Sequence, residues 1–185
     1  MLPKQIHIRR FLCAAIILYS SGPVAAADRF GEWSLEQMRG TVHTLSFKQS
    51  IPLDNKNATS ELAFACDEND KSKNVGGAIL IPFEKTYENQ DPDVTVLIQK
   101  NREQYASSDL SQEWRNGFDY IFLDSQDDVN ALVSFLRANE GHGLKSVHFS
   151  FSGHADGSPE RLNHIVINLS GFSDGFNALQ TACAG

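Results

Sequence analysis

Asn168 to Cys183 reads N-L-S-G-F-S-D-G-F-N-A-L-Q-T-A-C, and its reading decides the fold. It gives the end of a strand, a Ser-Gly turn, and a short helix over about 174–183 capped by Ser173. Phe172, Phe176, Leu179 and Cys183 are spaced by four, three and four residues, which puts them on one helical face. Cys183 therefore belongs to the buried side. Its partner is sought upstream, in Glu61–Asp67 (E-L-A-F-A-C-D), the clearest strand of the chain. There Leu62, Phe64 and Cys66 alternate with Ala63 and Ala65, so Cys66 points inward with the large apolar residues.

The chain has three cysteines, and the third, Cys13, falls inside an N-terminal export signal. Lys4, Arg9 and Arg10 form its basic region, Phe11–Tyr19 its apolar core, and Ala25-Ala26-Ala27 an A-x-A cleavage site. The expected organisation is a signal peptide over 1–27 and a single β-rich domain over 28–185, exported to the periplasm. Leu12 before Cys13 is not the small residue that precedes a lipidated cysteine. Removal of the signal leaves Cys66 and Cys183, an even count bound for an oxidising compartment, which favours a disulfide over two buried free thiols. That bond closes a loop of more than a hundred residues. Chain entropy sets its contribution at about 4–5 kcal/mol at most. The chain has no C-x-x-C, the usual mark of a redox-active pair.

The whole chain carries 16 basic and 23 acidic residues. The signal holds three of the bases and none of the acids, so the mature balance is 13 minus 23, or −10. Neither nucleic acid nor an anionic membrane is attracted to such a surface. No segment after the signal is apolar enough to span a bilayer.

Short alternating segments dominate the rest. Strands are expected at Phe30–Met38, Val42–Phe47, Glu61–Asp67, Val75–Phe83, Val94–Gln99, Phe118–Leu123, Leu144–Ser152 and Leu162–Leu169. Asn101–Asn116 reads as a loop with a short strand, Pro52–Ser60 as a polar loop, and Asp67–Asn74 as a solvated turn rather than a calcium loop. Ser125-Gln126-Asp127-Asp128 opens a helix over about 126–139 with Val129, Leu132, Val133 and Leu136 as its apolar stripe. Strands outnumber helices and no β-α-β alternation occurs. The fold class is mainly β, an antiparallel sandwich or curved sheet with two short helices.

The pattern resembles small exported proteins of Gram-negative bacteria, of the invasion-associated locus B and VasI (type VI secretion-associated) types. The residues that carry it are L-A-F-A-C (Leu62–Cys66), V-T-V-L-I (Val94–Ile98), Trp114 in a polar stretch, a helix ahead of a hairpin, and S-G-F-x-x-x-F-x-A-L-x-x-A-C (Ser170–Cys183). The resemblance implies a periplasmic β-sandwich, a Cys66–Cys183 disulfide and no known enzymatic activity. The Pro52–Ser60 insertion and the Gly153–Ser158 loop depart from the pattern.

One constellation has the residue types for chemistry: His148, Ser150, Ser152, His154, Asp156 and His164, all on one hairpin. As a metal site it would use the three histidines with Asp156. As a hydrolase it would need a serine on a sharp turn, and no G-x-S-x-G occurs. Ser150 and His148 share the strand face opposite Val147, Phe149 and Phe151, which favours a solvated outer face. His43 is read as an edge or partly buried residue without a role. Asp124, Asp127 and Asp128 suit a helix N-terminus, and Glu61 and Asp67 stand isolated at strand ends. No cofactor and no metal are implied. The favoured reading is a non-enzymatic module that contacts an envelope or secreted protein. Trp33, Tyr105 and Trp114 are its candidate anchors if they are exposed, and core residues otherwise. The alternatives are a metal-dependent or serine hydrolase centred on His148, His154 and Asp156, or a periplasmic enzyme inhibitor presenting the Gly153–Glu160 loop.

Overall fold

The computed structural model describes residues 27–38, 40–53, 56–82, 93–100, 103–106, 110–115, 118–123, 125–154 and 161–184. In chain order these form β1 (Asp28–Phe30), β2 (Trp33–Gln37), β3 (Val42–Leu53), β4 (Lys56–Asp67), β5 (Gly76–Pro82), β6 (Asp93–Lys100), β7 (Glu103–Ala106), β8 (Leu110–Arg115) and β9 (Phe118–Leu123). Helix α1 (Gln126–Gly141), β10 (Ser146–His154), β11 (Arg161–Asn168) and helix α2 (Phe172–Ala184) follow. The expected class holds: the described residues are mainly β, with antiparallel sheets and two helices.

One sheet runs β1-β2-β3-β4-β5-β9-β8, the other β11-β10-β6-β7. Period-2 alternation fixes the register of the first. Leu45 lies opposite Phe64, Phe64 opposite Gly77, and Gly77 opposite Leu123. Phe47, Leu62 and Ile79 form the next row on the same face. A one-residue slip would turn every one of these side chains to the other face. The core gathers them with Trp33 and Cys66, with Val129, Leu132 and Leu136 of α1, with Val147, Ile165 and Ile167 of β10 and β11, and with Phe172, Phe176, Leu179 and Cys183 of α2.

Several elements differ from the sequence reading. Phe30–Met38 is two strands, β1 and β2, turned at Gly31 and Glu32. The described residues of Pro52–Ser60 are strand rather than loop. β3 continues through Leu53 and β4 begins at Lys56, with Ile51 opposite Ala58 and Leu53 opposite Lys56. Cross-strand pairing there overrides polar composition. The described residues of Asn101–Asn116 form two strands, β7 and β8, where one was expected. The second helix starts at Phe172, two residues earlier than expected, and Ser173 lies within its first turn.

Helix α1 begins as its sequence signal predicts. The Asp128 amide donates to Ser125 Oγ at 3.0 Å, and Ser125 Oγ–H donates to Asp128 Oδ2 at 2.6 Å. Its buried stripe is Val129, Leu132, Val133, Leu136 and Asn139.

Candidate functional site

The C-terminal stretch is held at both ends. At its far end Cys183 and Cys66 form a disulfide pair, with Cα atoms 6.0 Å apart and residues 2% and 0% exposed. The phases of β4 and α2 bring these two sulfurs together. At its near end Glu140, in the last turn of α1, reaches across to the start of α2. Its Oε1 accepts from the Gly171 amide at 2.8 Å, and its Oε2 accepts from the Ser173 amide at 2.8 Å and from the Ser173 hydroxyl. A helix start leaves such amides without intrahelical partners and carries partial positive charge. The expected cap, Ser173, is thus itself held by a carboxylate from another helix. Only the folded chain brings that carboxylate near.

The turn before α2 fits closely against the turn between β1 and β2. Gly31 (φ +59°) lies on the Ser170 carbonyl and Gly171 (φ +82°) lies on the Phe30 carbonyl. A methyl group at either position would overlap the opposing backbone, and both conformations are ones that residues with a Cβ rarely adopt. Trp33 completes the contact. Its Nε1–H donates to the Asn168 carbonyl at 2.9 Å, and its ring centroid is 4.9 Å from that of Phe172. Trp33 is fully buried, so it is a core residue and not a surface anchor. On the outer side of the two helices, the Arg137 guanidinium lies over the Phe176 ring at 5.1 Å and donates to Asn177 Oδ1.

The histidine hairpin is only partly within the described residues. His148 lies on β10, exposed, beside buried Val147. This matches the solvated outer face expected for it. Ser150 pairs with His164 of β11, and His148 with Val166. His154 is the last residue of β10, and Asp156 lies outside the described residues. The Gly153–Glu160 loop lies outside them from residue 155 onward. Tyr105 falls on β7 and Trp114 on β8. Among the described residues no group of three His, Cys, Asp or Glu side chains is placed to hold a metal ion.

The sequence reading missed two polar arrangements. Glu61 is not isolated at a strand end. It sits within β4 on the face opposite Cys66, with Lys48 Nζ at 3.7 Å. Burial pushes its carboxyl above the usual range, and Lys48 and a hydrogen bond from Ser46 only partly oppose this. Around it Ser34, Ser46, Ala63 and Ala78 align across four strands. The second arrangement lies beside the disulfide pair. His43 is directly opposite Cys66 in the β3–β4 register, and its Nε2 is 3.3 Å from Glu68 Oε2. Asp67 accepts from the Thr41 hydroxyl and from the Asn69 amide, so it too has partners. Both residues were present in the sequence, but only the folded sheet sets His43 opposite Cys66 and against Glu68.

These features define a class: a mainly β domain whose C-terminal helix is closed onto the sheet by a cysteine pair and a carboxylate clamp. Among solved structures, invasion associated protein b from Bartonella henselae is similar to this chain in overall fold. The likeness has a TM-score of 0.53 and 18% sequence identity, and covers 85% of this chain and 97% of that one. At that identity it shows a shared fold. No protein-family model and no curated protein matches the chain.

Proposed function

We propose that the chain is exported, loses residues 1–27, and works in the periplasm as a non-enzymatic module that contacts another envelope or secreted protein. The observation that carries this reading is the fold likeness to invasion associated protein b over nearly all of that chain. The cysteine pair supports it, since such pairs persist in oxidising compartments. The exposure of His148 also supports it, because a catalytic imidazole would be expected in a concave, water-poor site. Among the described residues no helix is long and apolar enough to cross a membrane, in keeping with a module released after cleavage. Kinship with the invasion-associated locus B type is part of this reading. The VasI-type association rests on the sequence motifs alone.

The test is site-specific photocrosslinking in the producing cells, from exposed described positions such as Arg29, Thr59 and Asn177, combined with fractionation. The reading expects the mature form in the periplasmic fraction and a discrete adduct that excess purified mature chain competes away. Retention of the chain in the cytoplasm would contradict it. So would ester or peptide hydrolysis by the purified chain that disappears in His148→Ala.

A further inference from the structure

His43 has no role in the sequence pattern, and without a C-x-x-C the cysteines have no evident redox chemistry. The register of β3 and β4 joins the two. Directly opposed residues on antiparallel strands share a sheet face, with Cβ atoms about 4.5–5.5 Å apart, and His43 and Cys66 are such a pair. On its other side the His43 Nε2–H donates to Glu68 Oε2, which leaves Nδ1 as the nitrogen able to accept a proton. A thiol beside a base that a carboxylate orients is the arrangement that activates a sulfur nucleophile. The two sulfurs also differ in their surroundings. Cys66 stands opposite His43 in the ladder, whereas Cys183 lies in the last turn of α2, where the helix dipole disfavours a thiolate. Cys183 is 2% exposed, but its neighbours Thr181 and Ala184 are exposed. A terminal helical turn is among the least stable parts of a fold, and opening it would bare the Cys183 sulfur.

We infer that Cys66–Cys183 is a thiol–disulfide exchange site for a dithiol or disulfide partner, with His43 as the proton acceptor for Cys66 and Glu68 as its positioning residue. In the reducing direction a partner thiolate attacks Cys183 Sγ. The Cys66–Cys183 bond breaks, Cys66 leaves with the electron pair and takes, through His43 Nδ1, the proton shed by the partner thiol, and Cys183 is held in a mixed disulfide. The partner's second thiol then displaces Cys183, so the partner is oxidised to its disulfide and this chain is reduced to a dithiol. In the oxidising direction Cys66 gives its proton to His43 Nδ1, and its thiolate attacks Cys183 Sγ of the mixed disulfide. The partner's thiolate leaves and takes that proton.

The test reduces the oxidised, folded chain with dithiothreitol under native conditions and follows thiol release. Without the imidazole the departing Cys66 sulfur has no proton donor beside it, and poorer leaving groups exchange more slowly. His43→Ala should therefore be reduced about fivefold more slowly than the parent, with Glu68→Gln in between. A merely structural role for His43 predicts the opposite sign, because loosened packing exposes a buried disulfide and speeds its reduction. Reduction of His43→Ala at the parent rate or faster overturns the proposal. The second arm traps the mixed disulfide with glutathione and maps it. The adduct is expected on Cys183, and an adduct on Cys66 also overturns the proposal.

Discussion

Replacing Glu140 by alanine removes three acceptor contacts at the start of α2: two from the Gly171 and Ser173 amides and one from the Ser173 hydroxyl. A hydrogen bond to a charged group contributes about 1.5–3 kcal/mol, and loss of a helix cap costs about 0.5–2 kcal/mol. These figures do not add. Glu140 is half-buried, so water replaces some of what is lost, and Cys183 still tethers the other end of α2. A net cost of about 2 kcal/mol follows. For a chain of this size each kcal/mol lowers Tm by about 2–4 °C, which gives about 4–8 °C. Glu140→Gln keeps one acceptor oxygen but turns an NH2 group toward a donor, so its loss should be roughly half as large. Urea and thermal unfolding followed by tryptophan fluorescence would measure both, since buried Trp33 reports directly on the packing of Phe172. A shift of less than about 1 °C for Glu140→Ala would refute the clamp. So would a glutamine variant as stable as the parent.

Gly171→Ala forces a methyl group against the Phe30 backbone at positive φ. It should cost about 2–4 kcal/mol by urea denaturation, at the upper end of single substitutions. Glu61→Gln should be neutral or stabilising at neutral pH. Burial raises the folded-state pKa of Glu61, so its ionisation opposes folding as pH rises through that pKa. Below the unfolded pKa both states are protonated, so the variant's advantage should shrink there in thermal melts run from acid to neutral pH. His148→Ala should leave Tm within about 1–2 °C of the parent, because the residue is exposed and exposed changes are worth about 0.5 kcal/mol or less.

The legible parts of the fold were those in which chemistry is local. The Ser125–Asp128 cap, the α1 stripe, the alternation through Leu62–Cys66 and the bounds of β9 all follow from residues within a turn or a strand of one another. The inward phases of Cys66 and Cys183 follow for the same reason, and they suffice to suggest the pair. What was missed depends on contacts distant in sequence. Pro52–Ser60 is polar, yet its halves pair with each other as β3 and β4. The start of α2 is set by Glu140, more than thirty residues upstream. Trp33 is fixed by the Asn168 carbonyl and the ring of Phe172. Glu61 acquires Lys48 and Ser46 only through register. His43 looked idle because nothing in its own strand marks it, and its partners Cys66 and Glu68 lie across the ladder on β4 and just beyond its end.

The C-terminal helix is latched to the sheet by Cys66 and Cys183, and peptide mass mapping of the purified, folded protein is the most direct check of that bond. The protein would be collected under oxidising conditions, alkylated without reductant, and digested. A single disulfide-linked peptide pair containing Cys66 and Cys183 is expected, with no alkylation at either residue and a gain of two hydrogens on reduction. Two freely alkylated thiols in the folded, unreduced protein would contradict it.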